Sequence, residues 1–147
     1  MNVSSRLAVW ALIGAFALAL GGCGAAVRPD CQVVMWDAAD TPPEEGAPIP
    51  AETEPLIVPE DVDWSMSQVD RGDFGQPVLM LALTPAGTAR MAEFTRSNVG
   101  SYMGIALNGT VVVVPLINSA IEGGLIQIES STNDEAFFAP FASCVGG

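Results

Sequence analysis

The chain has 147 residues, half of them apolar, which is enough for one compact domain and too few for two ordinary ones. Seventeen acidic residues against five basic ones give a formal net charge of −12, and because such a surface repels phosphate groups we expect no nucleic-acid partner. Since the chain contains no His, the Ser-His-Asp and Cys-His catalytic arrangements and His-based zinc sites are excluded.

The N-terminus has the pattern of an export signal. After Arg6, the apolar run Leu7 to Leu20 suits a signal-peptide core and is shorter than the roughly 18 residues expected of a membrane-spanning helix. The run ends in Leu20-Gly21-Gly22-Cys23, which resembles the lipobox of bacterial lipoproteins. The resemblance implies cleavage after residue 22, acyl chains such as palmitate on Cys23, and a tether over residues 23–30. A plain secretory signal cleaved nearby is the alternative.

Two cysteines, Cys31 and Cys144, remain once Cys23 is assigned to lipid. An even pair in an oxidising compartment predicts a disulfide that joins the start of the folded part to its end. Closing so long a loop would stabilise the fold by roughly 4 to 5 kcal/mol in the chain-entropy model. Two unrelated small apolar residues are the alternative interpretation.

Residues 31–53 are predicted to hold a short strand and a linker. The apolar run from Gln32 to Trp36 is typical of a strand. From Asp40 to Glu60, six prolines lie among acids, and because proline removes backbone donors and like charges repel, we expect an extended, poorly ordered segment. The acids that follow lack the spacing of a calcium-binding EF-hand loop, so we predict a solvated loop and no metal site; they are Asp61, Asp63, Asp70 and Asp73.

The remaining chain has a regular pattern from Gln76 onward. Thr84-Pro85 is typical of a helix start after a buried strand, and Asn108-Gly109 is typical of a tight hairpin turn. The predicted elements are a strand at 78–83, a helix from Pro85 to about Asn98, strands at 104–107, 110–114 and 125–129, and a last helix after the capping-box spacing of Thr132 to Glu135. This order, β-α-β-β-β-α, predicts an α+β domain over residues 54–147, with two helices packed on one face of a small, mainly antiparallel sheet.

Several motifs in this region closely resemble the head subdomain of SecD, the membrane subunit that helps the Sec translocon move proteins across the cytoplasmic membrane. They are Leu83-Thr84-Pro85-Ala86-Gly87, Phe94 to Gly100, Ile105 to Gly109, Pro115 and Ile121 to Gly124. The resemblance covers roughly Glu54 to Phe141 and implies the fold of that head, a location outside the cytoplasm and contact with unfolded or extended polypeptide. The family usually has Asp at Asn108, a difference that we expect to be harmless because Asn suits the turn equally well.

The resemblance does not extend to SecD's transmembrane helices with their intramembrane acid, so proton-driven pulling is not implied. We predict a non-catalytic, membrane-tethered binding domain that contacts preproteins, Sec components or other envelope proteins through a sheet edge beside the hairpin. The alternative is a structural or stress-related envelope lipoprotein that reuses the fold without a link to export. We expect no enzyme activity, catalytic residue, cofactor, metal or small-molecule substrate. Gly24 after the cysteine favours the outer membrane if the cell has two membranes.

Overall fold

The computed structural model describes residues 30–129, 136 and 138–145. The predicted signal peptide, Cys23, the rest of the tether before Asp30, and residues 132–135 and 137 of the last predicted helix lie outside the described residues. The described elements are strands β1 (Val33–Ala39), β2 (Pro55–Ile57), β3 (Val62–Arg71), β4 (Pro77–Leu83), β5 (Tyr102–Leu107), β6 (Thr110–Val113) and β7 (Leu125–Glu129), and helices α1 (Pro85–Ser97) and α2 (Ala139–Ala142).

The strands form two antiparallel sheets, one with the order β2-β1-β5-β6 and one with the order β3-β4-β7. The predicted α+β class is confirmed, and from β4 onward the elements follow the predicted order β-α-β-β-β-α. A single sheet was predicted, whereas the structure has two sheets that share one apolar core with Met91 of α1 and Phe141 of α2. From β4 onward the sequence pattern located the strands but did not specify which strands pair.

Strand β1 belongs to the same sheet as the later strands. It pairs with β5 from Val33 opposite Leu107 to Ala39 opposite Tyr102, and with β2 on its other side. The four-stranded sheet therefore contains residues from both sides of the predicted boundary between residues 53 and 54. Its pairing is between residues far apart in sequence, which a local hydrophobic pattern does not reveal.

The acidic, proline-rich segment is ordered against the sheet, so the prediction of a poorly ordered linker was wrong. The Val111 amide donates to the Ala47 carbonyl at 2.8 Å, and its carbonyl accepts from the Gly46 amide at 2.8 Å. The Ile49 amide donates to the Gly109 carbonyl at 3.1 Å. Gly46 and Ile49 donate amide protons that the neighbouring prolines lack. The segment also covers a small apolar cluster around Trp36, with Ile49 packed against it.

The predicted solvated loop from Asp61 to Asp73 is mostly strand β3. Val62 and Trp64 are buried, and the strand pairs with β4 from Val62 to Arg71. Asp63 lies opposite Ala82 and Asp70 opposite Val78, so four residues of β4, roughly 13 Å, separate these two acids. The prediction failed because burial of the apolar residues outweighs the exposure of the acids between them.

Helix α1 begins as the sequence predicts. The Thr84 hydroxyl accepts a hydrogen bond from the Gly87 amide at 3.3 Å, and Pro85 occupies the first turn. The carboxylate of Asp61 is buried beside this turn, where it pairs with Arg90 and accepts from the Val58 amide at 3.1 Å. A Cβ atom at Gly87 would lie 2.9 Å from the Asp61 Cβ. Glycine at this position therefore allows the helix to approach the Asp61 turn closely.

The hairpin between β5 and β6 has a turn in which Asn108 and Gly109 both have positive φ, at 50° and 85°. The Asn108 side-chain amide donates to the Asp30 carbonyl and its oxygen accepts from the Gln32 amide, both at 2.9 Å. The turn is thus bonded to the start of the described chain. An Asp at this position can accept but not donate, so the difference from the family pattern has a structural consequence that the sequence did not show.

A disulfide joins Cys31 to Cys144 across 113 residues of sequence, with the two Cα atoms 5.8 Å apart. Both cysteines are buried. The bond attaches the residues after α2 to the start of β1.

Candidate functional site

The segment after β6 borders the candidate site and remains bonded to β5. Pro115 ends the strand as predicted, but its carbonyl accepts from the Met103 amide at 3.0 Å. The Ile117 amide donates to the Ser101 carbonyl and its carbonyl accepts from the Gly100 amide, both at 2.9 Å. We call residues 114–121 the groove loop. Its first half is held in place by backbone hydrogen bonds.

Thr95 of helix α1 holds the other end of the groove loop. Its side chain is fully buried, its hydroxyl donates to the Met91 carbonyl at 2.8 Å, and its oxygen accepts from the Ile121 amide at 2.8 Å. Asn98, the other polar residue shared with the SecD motifs, donates to the Phe94 carbonyl at 2.8 Å. The Asn98 bond satisfies a carbonyl at the end of helix α1, whereas the Thr95 bond joins the helix to the groove loop.

An apolar groove of about 420 Å³ lies between the groove loop, strands β5 and β6, and strand β7. Its lining is mainly apolar, with amide, hydroxyl and carboxylate groups from a few polar residues. The lining residues are Met103, Ile105, Val113, Pro115, Leu116, Ile117, Asn118, Ser119, Ile121, Ile126, Gln127, Ile128 and Glu129. Among these described residues Glu129 is the only charged one, so the groove favours an apolar ligand over an ionic one.

Strand β7 forms one wall of the groove and lies at the edge of its sheet, with β4 as its one neighbour among the described residues. The Leu83 amide donates to the Gly124 carbonyl at 2.7 Å. Because hydrogen-bonded and non-hydrogen-bonded residues alternate along an antiparallel pair, the backbone N–H and C=O groups of Leu125, Gln127 and Glu129 point away from β4. The side chain of Leu125 is 49% exposed. The geometry combines an outward-facing strand edge with an adjacent apolar groove.

The sheet edge beside the Asn108-Gly109 hairpin is not the open edge that the sequence predicted. Hydrogen bonds donated by Gly46 and Ile49, and one accepted by the Ala47 carbonyl, occupy the outer side of β6 at its start. The candidate binding edge is therefore β7. The sequence identified β7 as a half-buried strand, but it contained no signal for which strand the proline-rich segment covers.

The predicted site residues lie apart from the groove. Cys31 and Cys144 do not line it, and Cys23 is outside the described residues. Within the part of the chain that the structure describes, no three His, Cys, Asp or Glu side chains lie close enough together to hold a metal ion. In the same part of the chain, no helix has the length and hydropathy to cross a membrane.

Two antiparallel sheets around one core, with a groove beside an edge strand, define a small α+β domain. Residues 34–137 match the family model of the SecDF P1 head subdomain, and the chain belongs to this family. The resemblance to the SecD head is thereby confirmed.

The relatives that the chain matches are translocase subunits. The chain is 36% identical over 88 residues to protein translocase subunit SecDF of Thermus thermophilus. The aligned stretch covers 54% of this chain and 12% of that protein. It is 35% identical over 68 residues to protein translocase subunit SecD of Sebaldella termitidis. That aligned stretch covers 46% of this chain and 17% of the relative. The chain therefore spans less than a fifth of the length of these relatives.

A solved structure described as a membrane component, SecDF, that enhances protein export has the same fold. It superposes with a TM-score of 0.60 at 22% identity, over 78% of this chain and 63% of the solved chain. A crystal structure of SecDF in a super-membrane-facing form gives a TM-score of 0.60 at 23% identity, over 80% of this chain and 19% of that one.

Proposed function

We propose that this chain is a lipid-anchored domain outside the cytoplasm that holds extended, apolar polypeptide segments during protein export. The observation that carries the proposal is the apolar groove beside the edge of β7. An extended segment pairs its backbone with the edge of β7 and places alternate side chains in the groove, a mode that needs no reactive group.

The dimensions and chemistry of the groove support this occupant. Its volume of about 420 Å³ lies within the roughly 300 to 1,000 Å³ range of ligand sites. Leu116 in the groove lining and Leu125 on β7 are 44% and 49% exposed, so an apolar segment paired with β7 and seated in the groove removes apolar surface from water. At about 25 cal/mol per Å² of apolar area, such burial favours hydrophobic stretches of an unfolded chain over folded, polar surfaces.

Location and anchoring rest on separate observations. The Cys31–Cys144 disulfide is typical of an oxidising compartment outside the cytoplasm. The lipobox-like sequence before Cys23 supplies a membrane anchor, and two or more acyl chains on one residue give stable attachment. Export as the biological setting is taken from the translocase subunits to which the chain is similar.

A photo-cross-linking residue at Leu116 or at Leu125 tests the proposal in cells. The control position is Val99, an apolar residue that is 57% exposed and belongs neither to the groove lining nor to β7. We expect adducts with many different secreted chains from the groove position 116 and from the β7 position 125, and few from residue 99. Adducts with one fixed envelope protein favour the alternative of a structural lipoprotein, and equal yields at all three positions contradict the groove.

A charge in the groove provides a second test. Leu116→Glu places a carboxylate at the rim, and Val99→Glu makes the same change at a comparably exposed position outside the groove. Leu116→Glu should weaken the binding of an unfolded apolar peptide, measured by fluorescence anisotropy, while Val99→Glu leaves it unchanged. Equal affinities for the two variants would contradict the proposed site.

A further inference from the structure

The turn between β3 and β4 displays Phe74, whose side chain is 94% exposed. The turn is ordered by its own hydrogen bonds. The Gly72 amide donates to the Gln76 carbonyl at 2.8 Å, and the Phe74 amide donates to the Gln76 side-chain oxygen at 3.1 Å. The Arg71 guanidinium donates to the Gly75 carbonyl at 2.9 Å. The backbone that carries the aromatic ring is therefore ordered, which lowers the entropy lost when the ring binds.

This turn lies at the end of the molecule where the chain leads toward the proposed anchor. Ala142 lines a cavity of about 360 Å³ together with Arg71 and Pro77, the last paired residues of β3 and β4. Cys144 follows Ala142 by two residues and is bonded to Cys31. The chain that precedes Cys31 thus leaves the domain near the base of the Phe74 turn.

We propose that Phe74 is a second, reversible membrane contact, and that its ring inserts into the interface of the bilayer to which the domain is tethered. This inference rests on the anchor in the proposed function. Seven residues, 24–30, separate Cys23 from Cys31, and seven residues reach at most roughly 25 Å. A tether of this length keeps the Phe74 end close to the bilayer, which favours lipid over a soluble partner as the occupant.

The charges around the turn specify the lipid. Asp70 and Asp73 precede Phe74 and are exposed. With the exposed Arg71 between them the turn keeps a net charge of −1, so anionic head groups repel this end and neutral, zwitterionic head groups are preferred. A single aromatic ring binds weakly by itself. The tether raises its effective concentration at the surface, so a weak contact is sufficient to orient the domain.

The experiment replaces Phe74 by Trp and measures quenching by brominated phosphatidylcholine. The full-length gene is expressed, the processed protein is purified from the membrane fraction and reconstituted in vesicles, and its mass is measured. If Cys23 carries no acyl chains, its thiol is coupled to a maleimide lipid, so the contact is tested even where the natural anchor fails. The native Trp36 and Trp64 are buried and give a constant background.

The control is Val99→Trp, because residue 99 is exposed and lies near Tyr102, at the end of β5 far from Cys31. We expect bromolipid to quench the fluorescence of Trp at 74 and not at 99, and anionic lipid to reduce that quenching. Equal quenching at both positions, or none at position 74, overturns the proposal. A cross-linker at position 74 that joins one envelope protein and no lipid also overturns it.

Discussion

The hydrogen bond from the Ile121 amide to Thr95 predicts how the groove depends on helix α1. Thr95→Val keeps the shape of the side chain and removes the hydroxyl, which leaves the Ile121 amide without its partner. The Thr95 side chain is fully buried and Ile121 is partly buried. An unsatisfied buried donor costs about 1 to 3 kcal/mol, and partial access to water places the expected loss of unfolding free energy at about 1 to 2 kcal/mol.

Two matched variants separate this bond from other effects. Thr95→Ser retains the hydroxyl and should retain protection of the Ile121 amide. Thr88→Val removes a hydroxyl from the same helix. The Thr88 hydroxyl donates to the Thr84 carbonyl and makes no bond to the groove loop. Urea unfolding measures the stability of each variant, and amide hydrogen exchange measures the opening of the groove loop.

Thr95→Val should increase exchange at Ile121 and weaken peptide binding in the groove, while Thr88→Val changes neither. If Thr95→Val and Thr88→Val have the same stability and the same exchange at Ile121, then Thr95 does not hold the groove loop and the reasoning is refuted.

Three further predictions concern the frame around the groove. Replacing both Cys31 and Cys144 by Ser should lower the free energy of unfolding by up to about 4 to 5 kcal/mol, and a wild-type protein whose urea midpoint is unchanged by reductant would contradict the disulfide. Gly87→Ala should lower the free energy of unfolding by about 1 to 3 kcal/mol, because the new Cβ would lie 2.9 Å from the Asp61 Cβ. A higher free energy of unfolding in urea would show that helix propensity outweighs this contact. Asn108→Asp should lower the free energy of unfolding by about 0.5 to 1.5 kcal/mol, because the donor to the Asp30 carbonyl is removed. An unchanged urea midpoint would count against that bond.

The elements that could be predicted from the sequence are those whose signals are local. The Thr84-Pro85 helix start and the Asn108-Gly109 turn each depend on the conformation and hydrogen bonding of a few adjacent residues, and both occur where predicted. Strand β7 was predicted from alternation, and the structure buries Ile126 and Ile128 on one side. Local chemistry was sufficient in these cases because no distant partner has to be known.

The failed predictions share a different cause. Strand β3 carries an alternation of its own, with Val62 and Trp64 buried and Asp63 between them partly exposed, but the density of acids favoured a loop. The order of the proline-rich segment comes from hydrogen bonds to residues 60 to 65 positions later in the chain. The groove likewise combines residues from three separate segments, so its existence was not readable from any one of them.

The arrangement of the two ends of the domain connects the anchor to the groove. The chain enters at Cys31, and strand β1 then runs antiparallel between β2 and β5. If Cys23 is anchored as proposed, a pull on the tether acts along β1, and the antiparallel hydrogen bonds that resist it lie perpendicular to the strand. The Cys31–Cys144 bond and the two Asn108 hydrogen bonds lie at the point of entry. The groove loop pairs with residues 100–103, at the opposite end of β5, so a load on the tether is resisted by the disulfide and by β1 before it reaches the groove.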